Sequence, residues 1–355
     1  MKRIYMDYAA TSPVKPEVLA AMRPYFSDKF GNPSSIHSFG QETRQAINRA
    51  REEAAKFLNC QPQEVIFTSG GTESDNLAIR GTVLYHQNEF ALKKPHIITS
   101  LFEHHAILHT CEDLEKMGLA EVTYIKPDKE GIIHVEDIKQ VIKNNTVIVS
   151  IMYVNNEIGT VQPIAEIGSM ISELKSNNQK LKTIFHTDAV QAAEYFSCNV
   201  EELKVDMLSL SAHKFGGPKG IGLLFLKQGT PLKPIQTGGA QEYHLRAGTE
   251  NVPGIIGLAK AIQLLSSKFK VQSSKLMKLR NYFIDMIIKK IPDVKLNGSR
   301  KFRSPNNVSL SFRNAEGESI LLNLDLLGVA ASSGSACTSG SLEPSHVLRA
   351  IGVSD

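Results

Sequence analysis

The sequence predicts an α/β fold, a large domain around a seven-stranded, mostly parallel sheet followed by a smaller α+β domain. Three observations carry this. First, seven β-rich runs stand out up to residue 226: "EVIFTSG", "HIITSL", "AEVTYI", "TVIVSIMYV", "TIFHTDAV", "MLSLSAH" and "GIGLLFL". Second, helical patterns separate most of them, so consecutive strands have the crossover length that parallel pairing needs. Third, the character changes after Asn251, where the alternation of strand and helix gives way to long helical stretches and a small-residue loop.

Taken in order, the elements justify that reading. The strand-like runs are rich in Val and Ile and nearly continuous in apolar character, as strands buried on both faces are. Between the second and third, "HAILHTCEDLEKMG" places Ile107, Cys111 and Leu114 at helical spacing, and "IAEIGSMISELK" repeats the pattern further on. Beyond Asn251, "GIIGLAKAIQLLSSKFK" reads as a long helix, "NNVSLSF" as a strand and "GESILLNLDLL" as a helix. The expected division is 15–255 for the large domain, with 1–14 and 256–355 forming the small one.

Composition narrows the class. The chain has 355 residues, of which 42% are hydrophobic and 21% charged, and Lys+Arg 40 against Asp+Glu 36 leaves a net +4. That is ordinary folded protein, with no basic block to grip nucleic acid or a membrane surface. No run is long and apolar enough for a signal peptide or a span, and the four cysteines are scattered without a CxxC pair. A reducing, cytoplasmic setting is expected, with no structural metal.

The strand ends are polar, which matters because an open parallel sheet binds its ligands beyond the carboxyl ends of its strands. "SGGTES" offers backbone N–H groups, Gly71 and the Thr72 hydroxyl to a phosphate, although Thr72 or Ser69 could equally be the cap of a helix. His104, His105 and His109 could form a metal pair, but no HExxH or cysteine ligand accompanies them. Asp188 could bind a ring nitrogen or merely start a helix. Lys214, at the end of "SLSAHK", would be solvated on most sheets; flanked by an apolar strand and glycines, it would be an amine able to condense with an aldehyde. Cys337 in "SSGSACTSG" could be a small buried hydrophobe, but its Ser/Gly neighbourhood reads as an exposed loop. A phosphate cradle, a carboxylate, a stackable histidine and such a lysine are together what pyridoxal 5′-phosphate requires.

The motifs "IYMDYAATSPV", "FGNPSSIHSFG", "FTSGGTESDNLAI", "EHHAILHTC", "VNNEIGTVQPI", "HTDAVQ", "SAHKFGGPKGIG", "RAGTENVPGI" and "SSGSACTSGSLEPSHVLRAIG" closely resemble those of the cysteine desulfurases. These are pyridoxal-phosphate enzymes of the aspartate-aminotransferase-like fold, fold type I, and the likeness covers almost the whole chain. The resemblance implies that Lys214 binds the cofactor's aldehyde, that His104 stacks on its ring and moves protons, and that Asp188 pairs with the ring nitrogen. It places Asn156 and Gln191 at the ring, Gly71, Thr72, Ser211 and His213 at the phosphate, and Thr249 at the phosphate of the other subunit of a homodimer. It makes Cys337 the nucleophile that takes sulfur from L-cysteine as a persulfide, with transient contact to an iron–sulfur acceptor there. Cys60, Cys111 and Cys198 are left structural. A sulfur-acceptor protein is the implied partner, an iron–sulfur scaffold or a tRNA thiolase. Selenocysteine lyase and aminotransferase chemistry remain the alternatives on the same scaffold.

Three departures qualify the resemblance. Relatives usually carry several tens of residues beyond "VLRA", with an arginine for the substrate carboxylate, whereas this sequence ends at Asp355; Arg349 does not take that role. Either this sequence is cut short, or carboxylate binding is supplied differently or is weaker, by about 1.5–3 kcal/mol for one charge-assisted pair. "GGAQE" and "RAGT" differ from the commoner family forms without touching an assigned side chain.

Overall fold

The computed structural model describes residues 3–90, 92–178, 182–266, 269–334 and 345–353. Its strands are β1 Ile4–Tyr5, β2 Val65–Thr68, β3 His96–Ser100, β4 Glu121–Ile125, β5 Thr146–Ser150, β6 Ile184–Asp188, β7 Met207–Ser211, β8 Gly222–Leu226, β9 Val294–Leu296, β10 Leu310–Phe312 and β11 Val329–Ala330. The helices are α1 Pro16–Met22, α2 Pro24–Ser27, α3 Ser38–Leu58, α4 Gly71–Phe90, α5 His105–Lys116, α6 Val135–Val141, α7 Ile164–Asn177, α8 Val200–Leu203, α9 Val252–Ser266, α10 Phe269–Lys290, α11 Gly317–Leu326 and α12 His346–Ala350.

All seven expected strands form one sheet, in the order β2-β8-β7-β6-β5-β3-β4. β8 runs antiparallel to both of its neighbours, and the other pairings are parallel. The reversal is local in origin: β7 and β8 are joined through the short turn Ala212–Ile221 rather than through a crossover helix, and only antiparallel strands can be joined so briefly. β2 thereby regains the direction of β7, so its carboxyl end lies on the same edge as those of β3, β5, β6 and β7.

Side chains along each strand divide by parity between two cores, the period-2 consequence of the pleat. Val65, Phe67, Ile98, Phe185, Leu208, Leu223 and Phe225 pack with Ile47 and Ala54 of α3, Ile167 of α7 and Leu258 of α9. Ile66, Ile97, Ile184, Met207 and Leu224 pack on the opposite face with Leu77 and Val83 of α4 and Ile107 and Cys111 of α5. The long helix expected after Asn251 is two helices, α9 and α10. Away from the main sheet, β9 pairs antiparallel with β10, and β1 pairs parallel with β11 although they lie at opposite ends of the chain. No helix among the described residues is long and apolar enough to cross a membrane.

Candidate active site

Five loops meet beyond the carboxyl edge of the sheet. The first follows β2, where Gly70 and Gly71 lead into α4. The glycines are there because the chains are close: a Cβ on Gly71 would lie 2.7 Å from Val190 Cγ2 and 3.6 Å from Ser211 Cβ, and Gly70, at φ +156°, faces Ser211 Oγ. The start of a long helix, with unpaired N–H groups and a partial positive charge, is thus set beside the Ser211 hydroxyl at the end of β7. Thr72 is exposed at the same turn. Glu73 holds the turn shut by accepting from the Ser69 N–H (2.7 Å), while Arg246 donates to its other oxygen (2.8 Å).

His104 follows β3 and caps α5: its Nδ1 accepts from the Ala106 N–H at 3.1 Å. A ring accepting through Nδ1 is neutral with its proton on Nε2. Burial, and then the charge of Lys214, pulls its pKa down to about 4. The cap fixes the ring's orientation and its tautomer together. His105 stacks on His109 and packs against His346, both at 4.5 Å between centroids.

Asp188 ends β6 and is buried; its Oδ1 accepts from the Val190 N–H at 2.8 Å. Burial pushes this carboxyl up, against the Val190 N–H and Lys214. Two residues earlier on the same strand, fully buried His186 lies between Ser150 Oγ (2.8 Å) and Ser209 Oγ (3.0 Å), with Asp75 of α4 3.7 Å from its Nε2. The carboxylate therefore stands on a dry polar floor.

Lys214 closes a short 3-10 turn after β7. Its Nζ donates to the carbonyls of Ala9 (2.6 Å) and Ala10 (2.9 Å), and Gln191 Nε2 donates to the same Ala9 carbonyl (2.9 Å). His213 Nδ1 lies 3.1 Å from Thr11 Oγ1, and burial draws its pKa down to about 4. Ser12 locks the arrangement, its hydroxyl donating to the His213 carbonyl (2.7 Å) and accepting from the Gly216 N–H (2.8 Å).

Of the expected site residues, Gly71, Ser211, Asp188, Gln191, His213, Lys214 and His104 sit on the same edge of the sheet. Asn156 is half-buried in the turn after β5, while its neighbour Asn155 is buried and fully engaged in holding that turn. Thr249 is exposed, between buried Ala247 and Glu250, and is joined to the others by no described hydrogen bond. Cys337 lies outside the described residues. Cys60, Cys111 and Cys198 are buried or half-buried, and burial drives all three thiols upward, to about 12 for Cys60 and Cys198. Sequence reasoning passed over the carbonyls of residues 9 and 10; the motif "YAATSP" was the available signal, but a main-chain acceptor has no side-chain trace.

The family model described as aminotransferase class-V matches residues 4–354. "Cysteine desulfurase IscS" of Dictyoglomus turgidum is 53% identical over 356 residues, spanning 99% of this chain and 87% of that one. Among solved structures, a "NifS-like protein" superimposes with a TM-score of 0.89 at 35% identity, covering 99% of this chain and 90% of the other. "SspA in complex with cysteine" does so at 0.84 and 37%, covering 99% and 95%. The chain therefore belongs to the class-V aminotransferase family, in its cysteine desulfurase branch.

The residues present fit pyridoxal 5′-phosphate, the cofactor of that family. The close glycine turn leaves main-chain N–H groups open to an anion, Asp188 supplies a buried carboxylate for a cationic ring nitrogen, and Lys214 supplies the amine.

Proposed function

We propose that the protein is a pyridoxal-phosphate-dependent cysteine desulfurase that converts L-cysteine to L-alanine and keeps the sulfur on Cys337 as a persulfide. The observation that supports this most is the meeting of Lys214, Asp188, His104 and the Gly71 helix start on one sheet edge, in a chain half identical to a cysteine desulfurase.

When bound, the cofactor supplies an aldehyde carbon for an amino group and a ring that withdraws electrons from the substrate's Cα. The N–H groups at the Gly71 helix start, the Thr72 and Ser211 hydroxyls and His213 would hold its phosphate. Asp188 keeps the ring nitrogen protonated, and its dry surroundings make that pairing strong. Lys214 Nζ would hold the cofactor's aldehyde and would carry a proton at the substrate's Cα, with the carbonyls of Ala9 and Ala10 as the acceptors that orient the amine. His104 would stack on the ring and would move a proton through Nε2, the nitrogen its capping bond leaves available. Gln191 and Asn156 orient the ring.

The thiolate of Cys337 then takes the substrate's sulfur: the S–S bond forms as the Cβ–S bond breaks. The electron pair stays with the three-carbon fragment, which gains a proton and leaves as alanine. The balance is one cysteine and one thiol in, one alanine and one persulfide out, with no external oxidant or reductant.

The proposal extends to a cytoplasmic homodimer in which Thr249 of each copy reaches the phosphate in the other, and to a sulfur acceptor in iron–sulfur assembly or tRNA thiolation. The exposure of Thr249 supports the dimer. The division into 15–255 and 1–14 with 256–355 is kept; β1 pairing with β11 supports placing the first residues with the last, although α9 straddles the boundary.

The test is alanine release from L-cysteine with mass-spectrometric detection of sulfane sulfur. Cys337→Ser is expected to abolish the persulfide and keep the visible absorbance of bound cofactor. A keto acid product, or turnover indifferent to Cys337→Ser, would refute the proposal.

A further inference from the structure

The phosphate cradle carries a carboxylate of its own. Glu73 is the third residue of α4, and among the described residues the Ser74 N–H is the first main-chain donor of that helix to be paired, on the Gly70 carbonyl at 3.1 Å. The three N–H groups ahead of it, that of Glu73 included, are the ones a phosphate would use. A negative side chain in that first turn opposes the anion the turn is open to. Its side chain is only 16% exposed, so water screens little of that opposition.

Two groups take up the charge. Glu73 Oε2 accepts from the Ser69 N–H at 2.7 Å, and Arg246 straddles the carboxylate, its Nε donating to Oε1 at 2.8 Å and a terminal nitrogen to Oε2 at 3.3 Å. Burial alone would raise the Glu73 carboxyl; these bonds outweigh it and hold it below the ordinary carboxylate range. The carboxylate is therefore ionised, with both oxygens engaged. Arg246 is held in turn by its own segment: Gln236 Nε2 donates to the carbonyl of the next residue, Ala247, at 2.8 Å, and the Gly248 N–H donates to Gln241 Oε1 at 3.1 Å. A two-point pair on so fixed a segment supplies direction as well as charge.

We infer that Arg246 is a positioning residue for the cofactor phosphate: it holds the Glu73 carboxylate back on Ser69 and cancels its charge beside the helix start that receives the anion. The inference rests on the reading of that helix start as the phosphate cradle. Two effects are combined in one ion pair. One keeps the turn from Ser69 to Gly71 closed, and the other removes a repulsion that the phosphate would otherwise meet. They make opposite demands on Glu73, since the first needs its carboxylate and the second is relieved by losing it.

That opposition makes the inference testable. Binding of inorganic phosphate to the cofactor-free protein is read from the phosphate concentration that raises its melting temperature, and cofactor affinity from visible absorbance. Arg246→Met leaves Glu73 charged and without its counter-ion, and is expected to weaken both about tenfold at low salt, with the deficit shrinking as ionic strength rises. Glu73→Gln keeps an acceptor for the Ser69 N–H without the charge, so Glu73→Gln/Arg246→Met is expected to bind within about threefold of Glu73→Gln alone. Arg246→Gln, which keeps a donor, repeats the comparison should the methionine variant fail to fold. Wild-type binding in Arg246→Met would overturn the inference. So would a loss that the double variant does not recover and salt does not reduce, which marks a merely structural tie. Failure of the underlying reading looks different and takes the inference with it: there wild type itself gains no stability from phosphate, and Gly71→Ala leaves cofactor affinity unchanged.

Discussion

Adding one methyl group at Gly71 tests the cofactor cradle most directly. The new Cβ of Gly71→Ala would stand 2.7 Å from Val190 Cγ2, about 1 Å inside ordinary carbon–carbon contact. Val190 is β-branched and cannot turn aside at little cost, so the backbone on one side must give. If Val190 moves, its N–H loosens from Asp188 Oδ1; if the start of α4 moves, the N–H groups intended for the phosphate shift. Overpacking of this kind costs about 1–3 kcal/mol, and helix propensity returns up to about 1 kcal/mol for Gly→Ala. The cofactor-free protein should therefore lose about 0–2 kcal/mol. The loaded state bears the misplacement itself, so cofactor affinity should fall about 5–150-fold, since 1.4 kcal/mol is a factor of ten. The assay is cofactor titration by visible absorbance beside urea unfolding of the cofactor-free protein. Val190→Ala removes the colliding methyl, and Gly71→Ala/Val190→Ala should bind cofactor within about threefold of Val190→Ala alone, a coupling of about 1–3 kcal/mol. Wild-type affinity in Gly71→Ala, or no recovery in the double variant, would refute this account of the cradle.

Adjacent asparagines should separate cleanly: Asn155→Ala strands two N–H groups and a carbonyl in a buried turn and should cost about 2–4 kcal/mol in urea unfolding. Asn156→Ala should stay within about 0.5 kcal/mol of wild type and weaken cofactor binding instead. Glu242→Ala leaves Arg51 buried without the carboxylate that now holds it at 2.8 and 2.7 Å, and a loss of about 3–5 kcal/mol is expected. For pH, burial lowers His186 to about 3 from an ordinary 6.5. The unfolded chain then binds more protons between those values, so this contribution is full above about 6.5 and is lost as pH falls toward 3. Glu103, raised by burial to about 8 from 4.5, acts oppositely, favouring the folded state at low pH and losing its contribution as pH rises to 8. Comparing wild type with His186→Gln isolates the imidazole: urea midpoints measured from pH 7 to 4 should fall less steeply in the variant, and equal slopes would contradict this.

How far the sequence could be read depended on the range of the forces involved. Strand runs such as "TVIVSIMYV" and "MLSLSAH" declared themselves because a doubly covered strand must be apolar on both faces, and all seven formed the sheet. Polar residues at strand ends were legible for the same reason, since Asp188 and His213–Lys214 interrupt apolar runs. What stayed hidden is long-range or lacks a side chain. The grip of residues 9 and 10 on Lys214 uses main-chain oxygens, and the Arg246–Glu73 pair joins residues 173 positions apart. The reversal of β8 was written only in the shortness of its connection to β7. Asn155 and Asn156 are alike by type, and only the turn geometry tells which one is buried to build the turn and which one stays half-buried beside it.

The hold of Ala9 and Ala10 on Lys214 spans 205 and 204 positions of sequence. During synthesis, the opening residues leave the ribosome long before their counterpart at 214 exists, so this part of the site cannot be assembled until most of the chain has emerged. Helices and local turns can organise early, but vitamin capture has to wait for the two distant pieces to close on each other. A protease cut between residues 10 and 64 in the finished protein would spare every strand of the main sheet, yet losing those first residues would strip the amine of both carbonyls that steady it.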